Sequence, residues 1–304
     1  MQRKYSNDTK RFDGLVKLLQ KLDIEKAHVC MEATGRYWEA IANYMHNAGH
    51  LVSVVPPARI KGYGQAEFTR TKTDKVDAGM IGRFCEKHSP PVWTPPEPNE
   101  AELKELERHL FSIKGMIVEE RNRLESGVKA TSVITVITEH LEYLNKQKLQ
   151  IETAIRRLVK GTAPMAAAKK LIESINGLGE VTAAAFLGEV GSSVKQFKNV
   201  RQLDAFAGLD VTERLSGTSV HGKPHISKAG SKRLRTALYM PALSAMRCNP
   251  IIQRFVERLK QRRPAMPNKV IICAVMRKLL HLIYGVLKTG ELFNPHYGTP
   301  VSVP

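Results

Sequence analysis

Apolar residues alternate between two periods along the first hundred positions. In residues 8–22 (DTKRFDGLVKLLQKL), Phe12, Leu15, Leu18 and Leu19 fall on one helical face, with Asp8 or Thr9 as N-cap. Residues 27–31 (AHVCM) and 51–55 (LVSVV) are short continuous apolar runs of the kind that form buried strands. Between them ATGRYWEAIANYMHNAG has helical spacing and closes at Gly49. Pro56-Pro57 stop the second strand, the polar stretch ARIKGYGQAEFTRTKT reads as a loop, and a helix is expected over 74–84. Strands alternating with helices predict an α/β layer with a parallel component.

The pattern then changes. A Pro-rich linker (SPPVWTPPEPNE, 89–100) marks a boundary. Across 101–160, Leu103, Leu106, Leu110, Ile113, Ile117 and Leu124, then Leu141, Leu144, Ile151, Ile155 and Leu158, recur at three- and four-residue steps. That spacing predicts an antiparallel helical hairpin or coiled coil turning within 125–136, a structural spacer able to self-associate. Residues 171–190 (LIESINGLGEVTAAAFLGEV) are a helix, a Gly-x-Gly turn and a second helix, a helix-hairpin-helix pattern. QLDAFAGLDV is a helix with a Gly stop, and TERLSGTSVHGKPH a short hairpin or ordered loop. Further helices fill 232–247 and 250–289, and 290–304, lacking periodicity, read as a tail.

Charge narrows the partners. The 304 residues carry a net charge of +18, and 221–290 alone hold fifteen Lys or Arg against one acid, Glu257. So one-sided a segment favours a polyanion, nucleic acid. No basic amphipathic anchor is visible and no apolar run approaches the roughly 20 residues of a spanning helix, so no membrane partner is expected. The opening residues MQRKYSNDTKRFDG contain no apolar leader, and the four scattered cysteines suit inert thiols in a reducing cytoplasm.

Three places carry candidate chemistry. Ser227 lies in the tight polar loop ISKAGS ahead of a helix bearing Lys232, Arg233 and Arg235, with Lys228 beside it. Free N–H groups of a first helical turn and guanidinium forks favour a phosphate there. On local sequence alone, Ser227 or Ser231 as a simple N-cap competes with a catalytic serine. Glu32 leaves the end of the first strand, and Asp74 and Asp77 share a helical face. Carboxylates converging from a strand end and a helix suit Mg²⁺, although a capping Asp74, an Asp77 paired with Arg70 or Lys72, and a salt-bridged Glu32 account for them as well. At the Gly-x-Gly turn, Gly177 and Gly179 let backbone approach a phosphate without reading bases, although a plain turn between core helices explains them too.

The segments MEATGRYWE, KTDKVDA, SINGLGEVTAAAFLGEVG, AFAGLDV and SKAGSKRLRTALYMPA, in that order, resemble the transposases of the insertion sequence 110 family. The resemblance implies a RuvC-like (RNase H-like) α/β domain over 1–98, a coiled-coil arm over 99–165, a mostly helical transposase domain with helix-hairpin-helix and serine loop over 166–290, and a tail over 291–304. It implies a DNA recombinase in which Ser227 attacks DNA to form a phosphoserine linkage. Glu32, matching the EATG glutamate, and Asp74 and Asp77, matching the aspartates of TDxVDA, would hold Mg²⁺ at a composite site. It further implies a cytoplasmic, nucleoid-associated homo-oligomer (dimer or tetramer) guided by a structured noncoding bridge RNA that pairs with donor and target DNA. The family's opening GIDxxK strand, source of the first acidic ligand, has no counterpart here, so an incomplete sheet is expected, from a start placed too late or a decayed copy. Two other readings stand beside this one: a Holliday-junction-resolvase-like metal nuclease, and a truncated remnant that only binds nucleic acid.

Overall fold

The computed structural model describes residues 6–68, 73–213, 215–216, 220–222, 224–262 and 265–296. The chain divides into two compact units, Met1–Pro96 and Glu97–Pro304.

The first unit runs α1 (Thr9–Lys21), β1 (His28–Glu32), α2 (Tyr37–Asn47), β2 (Leu51–Val55), α3 (Pro57–Ala66) and α4 (Asp74–His88). Asp8 caps α1, its carboxylate accepting from the Arg11 N–H at 3.0 Å. β1 and β2 pair in parallel with His28 opposite Leu51 and Glu32 opposite Val55, and among the described residues they are the only strands of this sheet. Alternating side chains feed two clusters. Val52 packs with Ala42 and Met45 of α2, joined by Leu15 and Leu19 of α1. Val55 packs with Ile60, Met80 and Phe84 of α3 and α4, joined by Cys30. Helices on both faces of a parallel pair are the α/β layer that the alternation of elements predicted.

Two local expectations need correction. The stretch after Pro56 is helical, not a loop: Pro57 occupies the first helical position, where its missing N–H costs nothing, and Ile60 is buried with Tyr63 packed beside it. The Pro-rich segment also begins as part of the first unit. Ser53, fully buried, donates from Oγ toward the Pro90 and Pro91 carbonyls (3.0 and 2.9 Å). The Trp93 N–H reaches the Val52 carbonyl at 2.6 Å, and its ring stands edge-on to Trp38. Burial also pushes the Cys30 thiol up to about 12, with Cys85 beside it adding to the shift, which suits an inert thiol.

The second unit is helical apart from a small β-ribbon. A hairpin of α5 (Pro98–Glu125) and α6 (Thr131–Gly161) leads into α7 (Ala163–Glu173), α8 (Glu180–Val190) and α9 (Val200–Ala207). Four two-residue strands follow, β3 (Val211–Thr212), β4 (Leu215–Ser216), β5 (Val220–His221) and β6 (His225–Ile226), then α10 (Lys232–Cys248), α11 (Pro250–Lys260) and α12 (Asn268–Thr289). The hairpin is divided in its packing. Leu103, Leu110, Ile155 and Val159 enter the main core with Phe186, Leu203, Leu234, Leu238, Val275 and Leu279, whereas Ile113, Ile117 and Leu144 form a separate distal seam.

Two further expectations change here. By length and composition α12 could cross a bilayer, contrary to the reading that no apolar run was long enough. Its apolar face lies in the core, and its Arg277 and His281 bind the fully buried Asp204 of α9 at 2.7 and 2.9 Å. The start of the presumed tail is docked as well: the Phe293 N–H donates to Ser174 Oγ at 2.9 Å and its ring packs on the core.

Candidate active site

The β-ribbon delivers Ser227. β3 and β6 are antiparallel, with Val211 opposite Ile226 and Thr212 opposite His225. One step further along this register, Asp210 faces Ser227. The Ser227 N–H donates to the Asp210 carbonyl at 2.9 Å, and Ser227 Oγ donates to the Asp210 carboxylate. The chain then turns sharply. Lys228 adopts a left-handed conformation (φ +56°) and its N–H meets the Gly208 carbonyl at 3.1 Å, while the Ser231 N–H meets that of Phe206 at 2.8 Å. The C-terminal carbonyls of α9, left without helical partners, thus hold the serine loop. Gly230 lies against them so closely that a Cβ there would stand 2.4 Å from the Phe206 carbonyl oxygen and 2.5 Å from the Gly208 nitrogen.

The N-cap question is answered by Ser231. Its Oγ accepts from the Leu234 N–H at 3.1 Å, opening α10. Ser227 is not a helix cap; it is half-buried with its hydroxyl toward Asp210.

The cations around the loop divide into two kinds. Lys228 and Lys232 are exposed. Arg233 pairs with Glu189, whose other oxygen accepts from Ser231 Oγ at 2.7 Å. Arg235 donates to the Ala207 and Gly230 carbonyls at 2.8 and 3.1 Å, so its guanidinium ties the loop to α9. Glu189 and Asp210 escaped the sequence reading. Their signals were faint: one acid in GEVG and one in AGLDV, each beside a turn glycine.

Behind α10 lies a cavity of about 620 Å³ lined by α5, α8 and α10, apolar at Leu110, Val181 and Met240 and polar at Glu107, Glu189 and Arg233. Burial, opposed by Lys114 and reinforced by Glu189 and Glu152, raises the Glu107 carboxyl to about 7. Because this lies above the ordinary 4.5, the folded state binds more protons than the unfolded state in between, and stability falls as pH rises across that window. Glu107→Gln is therefore expected to stabilise the chain by about 2 kcal/mol at about pH 8, the gain shrinking toward about pH 5. Urea midpoints of both proteins at the two pH values check this.

The three carboxylates lie in the first unit. Glu32 ends β1 and accepts from the Thr34 hydroxyl at 2.7 Å. Asp74 and Asp77 occupy the first turn of α4, which packs on β1, and the N-cap is Thr73, accepting from the Val76 N–H at 3.3 Å. Arg70 and Lys72, considered as partners of Asp77, lie outside the described residues. The oxygen-only donor set suits a hard divalent cation, yet among the described residues no three His, Cys, Asp or Glu come together as a group able to hold a metal.

At the Gly-x-Gly turn the glycines differ. Gly177 has φ +98°, and a Cβ would stand 2.7 Å from Ala245 Cα, so close packing on α10 accounts for it. At Gly179 a Cβ would meet nothing within 4 Å, and the α8 N-terminus there has no side-chain cap.

A helical unit with a serine loop ahead of a basic helix, and an α/β unit with one acid at a strand end and two in the first turn of a helix packed on that strand, suit an enzyme that cuts and joins DNA. Comparison with known proteins agrees. Residues 1–133 match a DEDD transposase family of IS110 type, and 169–257 match the transposase IS116/IS110/IS902 family. The pilin gene-inverting protein of Moraxella bovis is 33% identical over 268 residues, covering 88% of this chain and 82% of that protein, and its Moraxella lacunata counterpart matches equally. The insertion element IS110 43.6 kDa protein of Streptomyces coelicolor is 26% identical over 162 residues, covering 53% of this chain and 38% of that protein. The protein is thus a DNA transposase or recombinase. It belongs to the IS110 family of transposases.

Proposed function

We propose that the chain exchanges DNA strands through a covalent serine–phosphate intermediate formed by Ser227. The observation that carries this reading is the release of Ser227 from any capping role: Ser231 opens α10, while Ser227 is held at the ribbon end with its hydroxyl on a carboxylate. To attack a phosphate diester a serine hydroxyl must be free to lose its proton, and a capping hydroxyl is not. Storing the bond energy as a phosphoserine ester lets the same bond be remade in a new partner, which inversion of a gene, as by the Moraxella relatives, requires.

Glu32, Asp74 and Asp77 would hold Mg²⁺, whose chemistry is to neutralise charge on the transferring phosphate. The acids' position at a strand end and in the first turn of a helix packed on it, together with the DEDD family match, supports this assignment. A structured noncoding RNA as guide and a homo-oligomer as working form complete the reading. The fifteen cations of residues 221–290 suit the RNA, and the exposed apolar side chains Val136, Tyr143 and Leu149 of α6 suit self-association. The N-terminus of α8 at Gly179 would contact phosphate without base readout.

The test is to trap the chain on a nicked, end-labelled duplex spanning the element's own end with Mg²⁺ present. A denaturant-stable adduct whose phosphate maps to Ser227 is the expected result; cleavage without adduct would assign hydrolysis by the acids instead. In the same system Lys228→Ala and Lys232→Ala should each lower the salt slope of DNA binding by about one. Arg233→Ala and Arg235→Ala, which break protein contacts, should change loop order more than that slope. Equal slopes for all four variants would refute the division.

A further inference from the structure

Asp210 lies outside every catalytic assignment made above, yet its carboxylate is the group that Ser227 Oγ meets. We propose that Asp210 is the general base of strand attack and the acid that returns the proton on rejoining; this rests on Ser227 being the nucleophile.

Three observations converge on it. The β3–β6 register sets Asp210 opposite Ser227, and the Ser227 N–H to Asp210 carbonyl bond locks the pair by backbone alone. The hydroxyl donates to the carboxylate, so the proton already lies on its path of transfer. The other acids that brace this region are held by cations, Glu189 by Arg233 and Asp204 by Arg277, with His281 hydrogen-bonded to Asp204 as well. Among the described residues no ion pair joins Asp210 to a cation, so nothing competes with a proton for its second role.

The step balances. A bond forms between Ser227 Oγ and phosphorus, and the bond from phosphorus to the leaving-strand oxygen breaks. The electron pair goes to that oxygen, which takes a proton from water, and the serine proton passes to Asp210. In rejoining, the hydroxyl of the incoming strand attacks the phosphoserine and yields its proton to water. Ser227 Oγ departs and recovers its proton from Asp210. No oxidant or further reactant is required.

Asp210→Asn keeps an oxygen acceptor for the Ser227 hydroxyl but cannot take the proton. With the nicked duplex above, adduct formation should slow by about 100-fold or more, while DNA affinity changes less than about twofold. The pH profile should change shape. The parent rate should not follow hydroxide concentration, whereas the Asn variant should climb with it. An Asn variant within about threefold of the parent, or one slower but with the parent's profile, overturns the assignment; the second result would leave Asp210 a positioning residue. Should Asp210→Asn fail to fold, Asp210→Glu decides, because a retained carboxylate should keep the parent's profile and a hydroxide-dependent one would refute the proposal. If Ser227→Ala still forms adducts, the nucleophile reading itself has failed. If Ser227→Ala is inert but Asp210→Asn is unaffected, only the base assignment falls.

Discussion

Ser227→Ala should eliminate both the covalent protein–DNA adduct and the joined product, by more than about 10⁴-fold, while leaving nucleic-acid binding and folding in place. The hydroxyl makes one hydrogen bond to Asp210 and accepts a long one, 3.3 Å, from the Ala229 N–H. Losing them should cost about 1 kcal/mol. The helix start is untouched because Ser231 supplies the cap. Adduct trapping, amplification across the new junction, thermal melting and binding of DNA and RNA to the variant are the four measurements needed. Joined product from the alanine variant would overturn the nucleophile assignment, and cleavage without joining would place the chemistry on the acids of the first unit, acting through water as a junction resolvase would.

Gly230→Ala should be almost as damaging to strand exchange without removing any reactive group. An added methyl carbon would stand 2.4 Å from the Phe206 carbonyl oxygen and 2.7 Å from that of Ala205. Both belong to backbone at the end of α9, which Asp204 anchors to α12, so the loop and not the helix must yield. The Ser231 to Phe206 and Lys228 to Gly208 hydrogen bonds are then lost or stretched, and Ser227 moves relative to Asp210. Displacement by about 1 Å is enough to reduce adduct formation by about 100-fold. Thermal stability should fall by about 1–3 kcal/mol, since the core residues Leu203, Leu234 and Leu238 keep their packing. An active Gly230→Ala protein would mean that the serine loop is not set by α9.

Much of this architecture is legible from residue pattern. The runs at 27–31 and 51–55 mark the strands His28–Glu32 and Leu51–Val55 because short, continuous apolar segments bounded by polar turns meet helices on both faces of a parallel pair. The steps of three and four from Leu103 to Leu158 mark the helical hairpin for the same kind of reason. Pattern misled where a polar-looking segment found apolar partners from elsewhere. Residues 57–66 contain two glycines and several polar residues, yet Ile60 and Tyr63 meet Phe84 some twenty positions later and hold the segment helical. Phe293, in a stretch without periodicity, is likewise held by Ser174 and the core.

The site divides along similar lines. Residue types along the chain were enough to raise Ser227 and the cations after it, and the acids at 32, 74 and 77, as candidates beside plainer readings, and the family resemblance chose between them; nucleic acid as the partner follows from charge summed over a segment. Which serine caps α10, which arginines are tied up and which acid faces the hydroxyl were decided only in three dimensions. Ser227 and Asp210 are 17 positions apart, and Glu189 lies 42 before Ser231. Such pairings depend on strand register and on how α9 ends, and these are properties of packed backbone that no short window of sequence contains.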